Sequence, residues 1–393
     1  MVKVQTLKGF RDFLPKEAKK RQYVINTLKT VFESYGFEPL ETPALEYEEV
    51  LLGKYGEEGD KMMYRFEDLG KRKVALRYDQ TVPLARVVAQ YQNELPIPFK
   101  RYQIQPVWRA ENTQKGRFRE FLQCDADIVG SSSPLSDAEV IAVATKAVEK
   151  LGFKNFKIII NDRANFAGVE PLAIVIIDKL KKIGKEGVLK ELAEKGLPTK
   201  SLDQILEKWP TENLKEITKV LNDSRVIFDS TLARGLDYYT GLIFEIEIDG
   251  YTAGSVCGGG RYDKLIGMFA NRDIPAVGFA FGFDRLLEAM DELKLFPDDL
   301  QTTKALVTVF FKELKEKSLE VASKLRSNNI NIELYLDENS SLEKQLKYAD
   351  QKGIPYAVII GPEEAKNNSV TVKNLKTREQ KTIPQETLQS ELQ

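Results

Sequence analysis

The chain has 393 residues, 42% hydrophobic and 30% charged, a balance that supports a large buried core and excludes a disordered polar chain. A formal net charge of -1 excludes a protein that coats nucleic acid electrostatically and leaves only local basic patches to grip phosphate. There is no histidine at all, which removes every imidazole base, nucleophile and metal ligand, and with them Ser-His-Asp, Cys-His and HExxH chemistry.

No apolar run approaches the length of a bilayer span, and the start, MVKVQTLKGFRDFLPKEAKK, has no signal-peptide core, so a cytoplasmic address and no membrane partner are expected. Cys124 and Cys257 form no close-spaced ligand pattern and read as reduced thiols. Residues 16–35 place Tyr23, Leu28, Val31, Phe32 and Tyr35 at roughly helical spacing, and Gly36 stops that helix. The stretch FEPLETPALEYEEVL reads as a strand entered through Pro39 and Pro43. From 74 to 130 the segments VALRYD, KRYQIQPVWRAE and EFLQCDADIVG predict strands of an antiparallel sheet, with a loop at 112–117. A helix over 136–151 and a strand at FKIII follow. The Lys/Glu-rich run 178–222 reads as a small helical insert, bounded at 163–226. Strand signals resume through SRVIFDSTLARGLDYYTGLIFEIEI, before a glycine cluster at 254–260 and a helix from about 284 to 294. Beyond Pro297, Asp298 and Asp299, strands and helices alternate through ALVTVFF, INIELYL, YAVIIG and SVTVKNL, the pattern of a separate α/β domain. The expected division is 1–300 and 301–393, in an α+β protein.

The residues richest in chemistry run from Arg109 to Asp127, RAENTQKGRFREFLQCDAD. On a strand, Arg119, Phe121, Gln123, Asp125 and Asp127 share one face. Two readings fit: a ligand platform of cation, ring, amide and acid, or solvated cross-strand partners. ARGLDYYTG at 233–241 and GGGRYD at 258–263 follow. The glycine triplet allows either close approach of a ligand or a tight turn. In GFAFGFDRL at 278–286, alternate small residues lead into a helix carrying Arg285, and they suit close packing more readily than a ligand.

Together these segments, in this order, resemble the motifs of the histidyl-tRNA synthetases. The likeness begins at KGFRDFLP, includes Pro43 and LRYDQTVP at 76–83, and is most specific at ARGLDYYTG. It implies a class II catalytic core, an antiparallel sheet flanked by helices, with a small helical insertion and a C-terminal anticodon-binding domain. It implies ATP and L-histidine as substrates, Mg2+ on the phosphates, tRNA-His as partner and a homodimer formed through the strand at 37–43 and the helix before it. By the same resemblance Arg109 and Arg234 face the α-phosphate and the histidine carboxylate, and Arg285 the γ-phosphate. Phe121 stacks on adenine, with Glu111 at its amino edge and Arg117 also on the nucleotide. Asp79, Thr81 and Gln123 hold the amino and carboxylate groups; Asp127, Tyr239 and Tyr262, with Tyr238 beside them, line the imidazole pocket. Asn112 to Gly116 resembles the reader of the tRNA acceptor end, and Lys373, Lys376, Arg378 and Lys381 are candidate phosphate contacts.

Departures from the family pattern are Gln80 between Asp79 and Thr81, Asp284 in place of Glu, Ala280 in place of Gly, and a shorter insert. Two rivals share the core: a non-catalytic regulatory subunit of histidine biosynthesis, which lacks the last domain and the signature arginines, and an RNA-binding or sensing module without catalysis. The absence of histidine fits an enzyme translated in full when charged histidine tRNA is scarce, but drift, compositional bias or engineering leave the same sequence and together rank ahead of that idea.

Overall fold

Pro15 opens the first long helix, Pro15–Ser34, where its missing N–H has no intrahelical partner to lose; Val24, Leu28, Val31 and Phe32 form the buried face. The computed structural model describes residues 3–52, 62–113, 118–233 and 238–392. The chain divides into two units, Met1–Phe296 and Pro297–Gln393.

The first unit contains β1 (Glu38–Pro39), β2 (Leu45–Tyr47), β3 (Arg65–Glu67), β4 (Lys73–Leu76), β5 (Phe99–Trp108) and β6 (Glu120–Val129), followed by β7 (Phe156–Asp162), β8 (Val226–Phe228), β9 (Leu242–Ile248), β10 (Cys257–Arg261) and β11 (Ala276–Gly282). Eight of these form one sheet in the order β1-β5-β6-β11-β10-β9-β7-β8, and β2-β4-β3 form a small second one. In the large sheet only the outermost pairings, β1 with β5 and β7 with β8, are parallel; the central ones are antiparallel. The single strand expected over 37–51 is instead β1, β2 and one turn of helix, Glu48–Leu51. Pro39 and Pro43 punctuate the chain there, since proline supplies no ladder donor.

A helix absent from the sequence-based expectation, Thr81–Gln90, follows LRYD and buries Val82, Leu84, Ala85, Val87 and Val88. Its β-branched residues favour a strand reading, while Pro83 is tolerated because it lies in the first turn. The helix Pro134–Lys150 begins at Ser133, whose hydroxyl accepts from the Leu135 N–H.

Register decides which side chains meet. Arg101, Gln103 and Gln105 of β5 stand opposite Asp127, Asp125 and Gln123 of β6, which stand opposite Gly278, Ala280 and Gly282 of β11. The intervening residues, Tyr102, Cys124, Ala126, Ile128, Phe279 and Phe281, belong to the main apolar core with the helices Pro15–Ser34, Pro134–Lys150 and Phe283–Glu292. Between β7 and β8 run the helices Pro171–Ile177, Leu180–Glu194, Lys200–Leu206 and Glu212–Leu221. They are not a free-standing lobe: Ile174, Ile177, Val188, Leu192 and Leu202 share an apolar cluster with Leu84, Ile243 and Tyr262.

The second unit has β12 (Ala305–Val307), β13 (Ile332–Leu334), β14 (Tyr356–Ile359), β15 (Ser369–Asn374) and β16 (Gln380–Pro384). Their order is β13-β12-β14-β15-β16, parallel among the first three and antiparallel beyond. The mostly exposed edge strand β16 had no apolar run to announce it.

Candidate active site

β6 supplies the floor. Gln123, Asp125 and Asp127 are each at most 7% exposed. Next to them β10 and β11 carry small residues. A Cβ on Gly278 would lie 1.9 Å from Asp127 Oδ1, and one on Gly260 would lie 2.4 Å from the Leu242 carbonyl and 2.8 Å from the Tyr239 ring. The space these glycines leave is filled by an acid and a phenol ring, so the small residues permit close packing of the strands and of the side chains beside them.

Asp127 is held from two sides. The Tyr262 hydroxyl donates to its Oδ1, and Arg101 Nη2 lies 2.7 Å from its Oδ2. That ion pair is off the hydrogen-bond direction: among the described residues Asp127 Oδ2 and the Nε and Nη2 of Arg101 are buried with no hydrogen-bond partner. Burial pushes the Asp127 carboxyl up, while first Arg101 and then Tyr262 pull it back. Burial, reinforced by the Asp127 charge, holds the Tyr262 phenol well above its ordinary value. Tyr238 completes the wall, its ring centre 5.6 Å from that of Tyr262 and 4.7 Å from that of Tyr239.

One step along the strand, Gln123 Nε2 donates to Asp125 Oδ2 at 2.8 Å. Asp125 Oδ1 is buried and unpartnered among the described residues. Burial pushes this carboxyl up to about 8 against the pull of Arg101, and the charges of Asp127 and Asp79 push the same way as burial. Asp79 and Thr81, both buried, stand at the start of the helix Thr81–Gln90, where Asp79 Oδ1 accepts from the Val82 N–H at 3.4 Å. Gln80, the departure from the family pattern, is a clamp: its Nε2 donates to the carbonyls of Gln105 at 2.8 Å and Gln123 at 3.3 Å, tying that helix to β5 and β6.

At the rim, Arg109 Nε donates to the Tyr78 carbonyl at 3.0 Å and its guanidinium lies 5.1 Å from the Phe121 ring centre. Arg119 precedes β6 and does not join the floor; its Nε donates to the Glu111 carbonyl at 3.1 Å. Arg285 Nη1 donates to the Ser255 carbonyl at 3.0 Å. The amino-terminal motif braces this corner, because Arg11 lies 3.2 Å over the Phe118 ring and donates to Asp284 at 2.7 Å. Arg117 and Arg234 lie outside the described residues. The chain leading to Arg234 is fixed by Asn161, whose Nδ2 donates to the carbonyls of Ser230 at 2.9 Å and Leu232 at 3.0 Å, and by Asp178, which accepts from the Ala233 N–H at 3.2 Å.

Arg101, Gln103 and Gln105 were missed in sequence, although their spacing of two mirrors that of Gln123, Asp125 and Asp127. Arg261 of GGGRYD turns away from the floor to Asp137, whose carboxyl burial pushes up to about 6 against the pull of Arg261. In the second unit, Arg378 pairs with Asp350 and Lys381 with Glu391. Among the described residues no cluster of three acid or thiol side chains could hold a metal ion, and no helix is long and apolar enough to cross a membrane.

Residues 9–169 and 163–286 match the family model described as histidyl-tRNA synthetase, and residues 304–393 match the anticodon binding domain. The chain is 41% identical to the histidine–tRNA ligase of Cytophaga hutchinsonii over 97% of both chains, and 42% identical to that of Aeropyrum pernix over 96% of this chain and 95% of the relative. The alignment with the Cytophaga protein spans 441 positions, more than the 393 residues here, so that relative carries segments this chain lacks. The crystal structure of histidyl-tRNA synthetase from Nostoc sp. PCC 7120 superposes with a TM-score of 0.84 at 32% identity, covering 100% of this chain and 99% of that one. With both parts of the chain matched and the relatives aligned nearly end to end, this protein belongs to the histidyl-tRNA synthetase family.

Proposed function

We infer that the chain activates L-histidine with ATP, giving histidyl-adenylate and pyrophosphate, and then transfers the histidyl group to the 3′ end of tRNA-His. The observation that carries this reading is the enclosed polar floor, where Gln123, Asp125 and Asp127 face Arg101 and Tyr262 over glycine, beside the Arg109–Phe121 pair. An acid and phenols can hydrogen-bond both nitrogens of an imidazole, and an aliphatic competitor leaves them unpaired.

In this reading the histidine carboxylate, already ionised, attacks the α-phosphorus and pyrophosphate leaves, so the first step needs no protein base. Catalysis is positioning and charge neutralisation. Arg109 and Arg234 take the α-phosphate and carboxylate, and Arg285 the γ-phosphate, because guanidinium stays charged and offers forked donors. Phe121 stacks on adenine, with Glu111 at its amino edge and Arg117 on the nucleotide. Asp79, Thr81 and Gln123 hold the amino acid's own amino and carboxylate groups. Asp127, Tyr238, Tyr239 and Tyr262 enclose its ring. Mg2+ belongs to this scheme as part of the nucleotide substrate, where it would neutralise phosphate charge; the described residues offer it no cluster of three ligand side chains. The unit at 297–393 is assigned to the anticodon, the chain to a homodimer, and the address to the cytoplasm.

A regulatory, non-catalytic reading is disfavoured because Arg109, Arg234, Arg285 and the last domain are all present. Histidine-dependent exchange of labelled pyrophosphate into ATP is the deciding measurement. Exchange supports activation, and its absence in folded protein sinks the enzyme reading.

A further inference from the structure

We propose that Arg101 is a specificity-determining residue: buried against Asp127, it makes the imidazole pocket neutral overall, so that the pocket accepts histidine with an uncharged ring and refuses the imidazolium. The proposal rests on the reading that Asp127 meets the substrate's ring.

Arg101 is fully buried, with its Nη2 2.7 Å from Asp127 Oδ2. A lone buried carboxylate would favour a cationic ring, since an opposite charge is the cheapest way to satisfy it. Here that role is already taken. Among the described residues, the groups around Asp127 leave no uncompensated charge beside it for a cationic ring. β5 contributes Arg101, and β11 contributes only Gly278. Tyr262 donates its hydroxyl to Oδ1. Asp125, on the same strand, is pushed up to about 8 by burial and stays uncharged at neutral pH. Tyr238, a phenol, packs its ring against both Tyr262 and Tyr239. Asp79 is the remaining carboxylate, and the substrate's own ammonium is assigned to it. The Oδ2 of Asp127, buried without a hydrogen-bond partner among the described residues, offers an acceptor for a single ring N–H. A neutral imidazole has one donor and one acceptor, whereas the imidazolium has two donors.

The absence of histidine from the chain makes this directly observable, because in a complex with 15N-labelled histidine every imidazole resonance belongs to the substrate. The protein must be prepared without a histidine tag. At about pH 6, below the ordinary imidazole value of about 6.5, the bound ring is expected to show the two widely separated nitrogen resonances of a neutral tautomer. The closely spaced pair of an imidazolium overturns the proposal while leaving histidine binding intact; no binding at all overturns the functional reading and this proposal with it.

Steady-state kinetics give a second readout. The histidine KM of the native enzyme should rise about tenfold from about pH 7.5 to about pH 5.5 as the free ring protonates. In Arg101→Met that ratio should fall to about one or invert, and Arg101→Lys should restore it. An unchanged tenfold ratio in folded Arg101→Met overturns the assignment. If that variant does not fold, the resonances of the native complex decide alone.

Discussion

The two faces of the eight-stranded sheet are built from alternate residues of the same strands, yet they obey different rules. On one face Cys124, Ala126, Ile128, Phe279 and Phe281 pack into the main apolar core beneath the helices, where almost every contact is between carbon atoms. On the other, Gln123, Asp125 and Asp127 lie beside glycine and alanine, and several buried polar atoms have no partner among the described residues. A strand has a side-chain period of two, so one ten-residue segment such as β6 can carry stability and chemistry without either interrupting the other. The contrast also separates two roles for small residues. Ala126 is fully buried inside the apolar core, whereas Gly278 leaves the place of its missing Cβ to the Asp127 carboxylate.

The sharpest way to break this comparison is to mutate each face and ask which property moves. On the apolar face, Phe281→Ala should cost about 3–5 kcal/mol of stability in denaturant unfolding, while the KM values of the protein that remains folded stay close to native. Among the residues assigned to the substrates, Arg234→Ala should lower the rate of adenylate formation by about 100- to 1000-fold, the loss typical of a donor aimed at transition-state charge. Histidine affinity should change far less, and an equal loss in both contradicts the role. Gly278→Ala adds one methyl 1.9 Å from Asp127 Oδ1; moving that carboxylate by about an ångström should reduce kcat/KM for histidine roughly 100-fold and leave the KM for ATP nearly intact. A melting temperature that collapses in step with activity would place Gly278 on the structural side instead.

Much of this division was legible in the sequence, and the parts that were not have physical causes. Alternation in EFLQCDADIV announces a two-faced strand, and the structure seats Gln123, Asp125 and Asp127 as that pattern requires. Nothing in the segment KRYQIQ marks Arg101 as a buried group; only the pairing of β5 with β6 sets it opposite Asp127. The helix Thr81–Gln90 was hidden by β-branched residues and a proline, since its stability comes from burial of nearly every side chain and not from propensity. Gln80 looked like an exception to a motif and proved to be a clamp, because a long amide can reach two carbonyls that a shorter side chain cannot. The edge strand β16, mostly exposed, carries almost no burial signal for a sequence pattern to report.

The smallest expected effect tests whether the polar face is truly closed to water. Burial pushes the Asp125 carboxyl from its ordinary 3.8 up to about 8. Between those two values the folded chain holds a proton that the unfolded chain has already lost. The contribution of this group therefore stabilises the fold fully only below about pH 4 and is lost as pH rises toward about 8, by at most about 1.4 kcal/mol per pH unit. Asp125→Asn cannot titrate, and its side-chain oxygen can still accept from Gln123 Nε2. Its stability relative to native protein should therefore climb by about 1–2 kcal/mol between pH 6.5 and 8 and level off above that, read from urea unfolding at fixed temperature. A difference that stays flat across that range would mean the carboxylate is already ionised in the fold, with water reaching the floor. The two faces would then differ in composition only, and the case for an enclosed, charge-balanced pocket at Asp127 would weaken with it.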